Sequence, residues 1–164
     1  MSEGMPTIGT LQSLLDEKKF VVTAEITPKL TANPDDILRQ VQPLKGIADA
    51  VNVTDGAGAR VAMSSLAVSA LLVQDGIEPV LQMTCRDRNR IAIAADLIGA
   101  SALGIHNLLA LTGDDPKTGD EPDAKPVFDL SLIHISEPTR RYAISDAGFG
   151  LEKKSGGGGG GGGG

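Results

Sequence analysis

Four short stretches of this chain carry the residue types that could do chemistry. The first, Ala24-Glu25-Ile26-Thr27-Pro28, sets a carboxylate inside an otherwise apolar run. If that run is a strand with core on both faces, Glu25 is buried. It must then be paired, hydrogen-bonded or protonated, and desolvation raises its pKa toward the range of a general acid. A structural ion pair would satisfy the same residue. The second stretch, Asn52-Val53-Thr54-Asp55-Gly56-Ala57-Gly58-Ala59, is rich in small residues that let a flat ligand approach the backbone, or that simply make a turn. It opens like the dinucleotide fingerprint G-x-G-x-x-G, but Val61 stands at the last glycine's place and the motif fails.

The third stretch runs from Gln82 through Thr84 and Cys85 to Arg86, Arg88 and Arg90. Three arginines at alternate positions can grip a phosphate near a helix N-terminus, as in a non-redox phosphate-binding barrel, or pair with acids at a solvated helix start. Cys85 reads as a small core residue, since no histidine lies near it in sequence. The fourth stretch, Leu111-Thr112-Gly113-Asp114-Asp115-Pro116, opens a loop that also holds Asp120, Glu121 and Asp123. It lacks calcium-loop spacing, so it reads as an exposed acidic loop and no metal is expected. His106 reads as a core histidine at the opposite end of its strand.

Each stretch follows an apolar run, at about residues 20–26, 50–53, 79–83 and 105–111, and these runs are predicted as buried parallel strands. Helical patterns fill the gaps. Asn33-Pro34-Asp35-Asp36 supplies an N-cap, a first-turn proline and acids at the positive end of a helix bearing Ile37, Leu38, Val41 and Leu44. Ser64 or Ser65 opens the next, which stops near Gly76; Asp87 opens a third, with Ile91, Ala94, Ala95 and Ile98 on one face and Gly99 near its end. A further helix at about residues 11–18 precedes the first strand. Strand-then-helix repeats without hairpin signals mean a parallel sheet with right-handed crossovers. A (β/α)8 barrel of about 250 residues needs eight such units, and there is room for four. The expected fold is α/β, the N-terminal half of a TIM barrel with two open sheet edges, and its chemistry belongs at the strand C-termini.

Residues 1–130 carry 11 Lys and Arg against 18 Asp and Glu, so a nucleic-acid partner is not expected. One cysteine allows no internal disulfide, and neither an export signal nor an apolar run of about 18 residues is visible, so no membrane partner and a cytoplasmic location are expected. Residues 131–164 break the pattern and end in nine consecutive glycines. The run from Leu130 to Arg140 looks like the in-frame translation of a transposase-type sequencing-library adapter. Residues 144–154 resemble its far end, and the glycines match unbroken GGG codons. The expected division is therefore a partial barrel domain at 1–130 and a disordered, non-native tail at 131–164, with His134, Tyr142 and Phe149 outside any functional argument.

Taken together, AEITP at 24–28, VNVTDGAGA at 51–59, LQMTCRDRNR at 81–90, LLALTGDDPKTGD at 108–120 and DAKPVFDL at 123–130 resemble the methylenetetrahydrofolate reductase family, in order and at family spacing. The resemblance implies a flavin-bearing barrel enzyme that reduces 5,10-methylenetetrahydrofolate to 5-methyltetrahydrofolate through FAD, with NADH or NADPH as electron donor. It implies that the intact protein assembles from identical subunits. It makes Glu25 the general acid that protonates the folate ring nitrogen and opens the substrate to its iminium form. Gly113 and Asp114 match the family's Gly-Asp near flavin and pterin, where Asp114 stabilises the cationic iminium. Thr54, Asp55, Ala57, Gln82 and Thr112 match positions that contact flavin or nicotinamide, although many relatives have His at the place of Gln82 and Arg at that of Thr112. Later strands that complete both sites in the family are missing, so the 164-residue chain is expected to be inactive. The alternatives are the phosphate-binding barrel and a half-barrel that assembles without catalysis.

Overall fold

The apolar runs become strands and the capped segments between them become helices. The computed structural model describes residues 9–129 and the pair Gly150–Leu151. Helix α1 (Thr10–Asp16) leads into β1 (Thr23–Ile26), α2 (Pro34–Val41), β2 (Ala50–Val53), α3 (Ser65–Gln74), β3 (Pro79–Thr84), α4 (Arg90–Ala102) and β4 (Asn107–Leu111). The strands pair in parallel in sequence order, with Glu25 beside Asn52, Asn52 beside Val80, and Thr84 beside Leu111. This is the architecture of a partial (β/α)8 barrel. The expected non-native tail at 131–164 lies outside the described residues except at β5 (Gly150–Leu151), which runs parallel to the start of β4.

The caps explain where the helices begin. The side chain of Asn33 accepts from the Asp35 amide at 3.0 Å and Ser64 Oγ from Ala67 at 3.3 Å, each satisfying an amide that the helix leaves unpaired. The third cap corrects the sequence reading. Asn89, not Asp87, starts α4, accepting from Ile91 at 3.1 Å and Ala92 at 3.0 Å, while Asp87 turns back to Arg86. The helix also runs past Gly99 to Ala102.

One face of the sheet carries the core. Ile26, Val51 and Val53 pack with Ile37, Val41, Val68 and Leu72 from α2 and α3, and Leu81, Met83 and Leu108 pack with Ile93, Leu97 and Ala100 from α4. The α4 face expected from spacing is therefore the wrong one: Ile91 and Ile98 are exposed. Because α4 is apolar nearly all round, periodicity offers two faces, and the pairing of Asp96 with Arg88 from the β3–α4 loop accompanies the turn of Ile93, Leu97 and Ala100 inward.

Alternation sends Thr23, Glu25, Asn52, Gln82, Thr84 and Asn107 to the other face. No helix of the described residues covers it, so the expectation of strands buried on both sides fails for β1, the edge strand, whose Glu25 is exposed. The same edge shortens β1: it begins at Thr23 rather than at residue 20, and Phe20 is 91% exposed. His106 is likewise not a core residue. It is half-buried just before β4 and lines a cavity of about 380 Å³ with Lys45, Asp49 and Glu78 at the strand N-termini.

Candidate functional site at the strand C-termini

Glu25 is the one titratable side chain on the described strands, β2 to β5 having none. Its Oε2 accepts a hydrogen bond from Gln82 Nε2 at 3.1 Å, so the contact reaches from β3 across β2 to the edge strand. Gln82 is only 6% exposed. The sequence reading of Glu25 as a residue buried in strand core does not hold. The carboxylate stands on an open sheet face, tethered by an amide. Beyond it, Thr54 is buried at the end of β2, and its Oγ1 has no hydrogen-bond partner among the described residues.

Asp55 anchors the next layer. Its Oδ2 accepts from the Thr84 amide at 2.9 Å, Thr84 Oγ1 at 3.0 Å and Arg88 Nη1 at 2.6 Å. Burial pushes the Asp55 pKa up, but the hydrogen bond and charge of Arg88, with the two Thr84 donors, more than offset it and hold the carboxyl below its usual range. Arg88 also donates to Asp96 at 2.9 Å, which ties the β2 loop, the end of β3 and α4 into one polar group. The sequence assigns no role to Thr84 within its stretch and does not point to Asp96. Thr84 carried a signal, since it shares strand parity with Gln82.

The arginines do not converge on a ligand. Arg86 is 5% exposed and donates to both oxygens of Asp87 and to the carbonyls of Gly56 and Asp114 at 3.4 and 3.2 Å. Arg90 pairs with Asp129 at 3.0 Å, and that pair holds the Asp129 pKa down at about 2. Each cation thus has an acid, and the phosphate-gripping alternative loses its residues.

The acidic loop is fastened down by its own aspartates. Asp114 Oδ2 accepts from the Gly58 amide at 2.7 Å, Asp120 from the Val61 amide at 3.1 and 3.0 Å, and Val127 N donates to the Arg86 carbonyl at 2.7 Å. Gly113 makes the turn from β4 into this loop at φ +93°, where a Cβ would sit 2.9 Å from Arg86 Cβ and 3.2 Å from Thr84 Cβ. Gly113→Ala is therefore expected to destabilise the chain by about 1–3 kcal/mol, read as a lowered urea midpoint with unchanged slope. An unchanged midpoint would contradict the packing described.

Of the residues singled out in the sequence, the structure joins Glu25 to Gln82, Asp55 to Arg88, and Asp114 to Gly58 and Arg86. Ala57 and Thr112 are exposed on the same rim. No hydrogen bond links the Glu25 pair to Asp114 among the described residues. Cys85 is buried in the core as expected, and burial pushes its thiol pKa up. No helix of the described residues is long and apolar enough to cross a membrane.

Comparison with known proteins adds a family to this geometry. The family model described as methylenetetrahydrofolate reductase matches residues 10–149. Among curated proteins, the chain is similar to one from Caenorhabditis elegans named probable methylenetetrahydrofolate reductase (NADPH), 28% identical over 151 residues. The alignment covers 86% of this chain and 23% of the relative, so the chain spans about a quarter of that protein's length.

Proposed function

This chain belongs to the methylenetetrahydrofolate reductase family, and we propose that the whole protein of which it forms a part reduces 5,10-methylenetetrahydrofolate to 5-methyltetrahydrofolate. The observation that carries the reading is Glu25, the sole titratable group on the described strands, held by Gln82 at the strand C-termini where a barrel's chemistry takes place. A carboxyl group there can deliver a proton to a ring nitrogen of the folate, so that the five-membered ring opens to the iminium form that accepts hydride. In this reading Asp114 faces the resulting cation and stabilises it.

FAD fits the residues present. The buried, unpartnered hydroxyl of Thr54 is a polar atom in need of a ligand, and Gln82 offers an amide on the same face. When bound, FAD supplies hydride transfer from NADH or NADPH to the folate. Thr54, Asp55, Ala57, Gln82, Thr112 and Gly113 are the residues of this chain that would hold it. Asp55 does so through its fixed loop, because Arg88 and Thr84 already occupy its carboxylate.

The reading extends to a cytoplasmic, self-assembling protein and to an inactive 164-residue chain, because the sites need strands beyond β4. It takes residues 131–164 as non-native, although the family match runs through residue 149. Resequencing the gene across codon 130 tests that boundary directly and yields the full-length protein. Purified full-length protein is expected to be yellow, to carry FAD at one per subunit, and to transfer electrons from a nicotinamide donor to methylenetetrahydrofolate. A colourless protein that does not take up FAD and does not act on the folate would overturn the proposal.

A further inference from the structure

Gln82 and Glu25 differ in how firmly each is held. Gln82 lies on β3 with a strand on either side and is 6% exposed, whereas Glu25 lies on the edge strand and is exposed. A hydrogen bond between them therefore transmits the position of the fixed partner to the free one. We infer that Gln82 is a positioning residue for Glu25, holding its carboxyl at the strand ends and serving it in both of its protonation states. This rests on the reading of Glu25 as the proton donor.

The amide is suited to the task. A carboxylate needs a donor, and Gln82 Nε2 supplies one at 3.1 Å. A protonated carboxyl needs an acceptor for its own O–H, and a half-turn of the terminal amide presents Oε1 instead. A lysine or arginine could serve only the ionised form, and an apolar side chain neither.

Among the described residues, no cation forms a salt bridge with Glu25. The strands β2, β3 and β4 bring no titratable side chain to this face. Beyond the strand ends, Asp55 is taken by Arg88 and Thr84, Arg86 by Asp87, and Asp114 by the Gly58 amide. Lys29, after β1, is exposed, and the acids opening α2 lie with that helix on the covered side, Asp36 pairing with Arg39 and Thr31.

The test is a titration of the Glu25 side-chain carboxyl carbon by NMR in the 164-residue chain, for wild type, Gln82→Leu and Gln82→Lys. Removing the donor disfavours the ionised form, so the midpoint is expected to rise in the leucine variant. A fixed cation favours the ionised form, so it is expected to fall by about one pH unit in the lysine variant. Dispersed amide spectra establish that each variant folds, and if the leucine variant does not, the downward shift in the lysine variant carries the test. Midpoints unmoved, or moved in one common direction, overturn the inference.

A second measurement separates the two levels. In the full-length protein, the alkaline limb of the pH profile for folate reduction is expected to move as the midpoints do. Midpoints that move without any movement of the folate limb would leave Gln82 in charge of Glu25 but remove Glu25 as the acid, and the functional reading would fail. Unmoved midpoints alongside a folate step that still requires Glu25 would overturn the inference about Gln82 alone.

Discussion

Glu25→Gln in the full-length protein is expected to slow reduction of methylenetetrahydrofolate by about 10²–10⁴-fold, the usual contribution of a positioned general acid, while reduction of the bound cofactor by the nicotinamide donor continues. The substitution keeps the shape of the side chain and its ability to accept from Gln82 Nε2. It removes the labile proton. Among the described strands, β2 to β4 offer no second acid, since they carry no titratable residue. The hydride transfer into the cofactor needs no proton from this position, so the two half-reactions should separate when each is followed anaerobically. Equal loss of both would mean that Glu25 supports the fold or the cofactor rather than the folate chemistry, and the assignment would fall.

How legible the molecule was depends on the range of the interaction. Asn33 and Ser64 were readable as caps because a cap acts within one helical turn, and the strand runs were readable from local composition. The burial of Glu25 is not legible locally because it depends on what covers β1, which among the described strands is paired on one side only. The arginine series was ambiguous for the same reason. Whether Arg88 and Arg90 hold a phosphate or a carboxylate is decided by Asp55 and Asp129, at separations of 33 and 39 residues. The inward face of α4 goes with a pairing of Asp96 to Arg88, eight positions earlier. The candidate site was thus visible as four strand ends, while the pairings within it were not.

The largest structural effect is expected at Arg88. Its side chain is 16% exposed and that of its partner Asp55 is 9% exposed, so Arg88→Met strands a buried carboxylate with only the Thr84 donors left. Breaking a buried pair by removing one member costs about 3–5 kcal/mol, against about 0–1 kcal/mol for an exposed pair. Domains of this size are stable by about 5–15 kcal/mol, so the variant should lose a large part of its stability at pH 7. Urea unfolding of the 164-residue chain measures this, and a loss below about 1 kcal/mol would place the pair in the exposed class. Asp55→Asn in the Arg88→Met background should recover part of the loss, because the buried charge is then gone. The pH dependence has a definite sign. The folded Asp55 pKa lies below its ordinary value of 3.8, so its contribution is complete above that value and is lost as the pH falls through the lower folded value. The wild-type chain should therefore lose stability in strong acid partly through this group, and Arg88→Met should remove that part of the slope. An acid slope identical in both would mean that Asp55 draws its low pKa from Thr84 alone, and that Arg88 holds α4 to the sheet through Asp96 without stabilising the β2 loop.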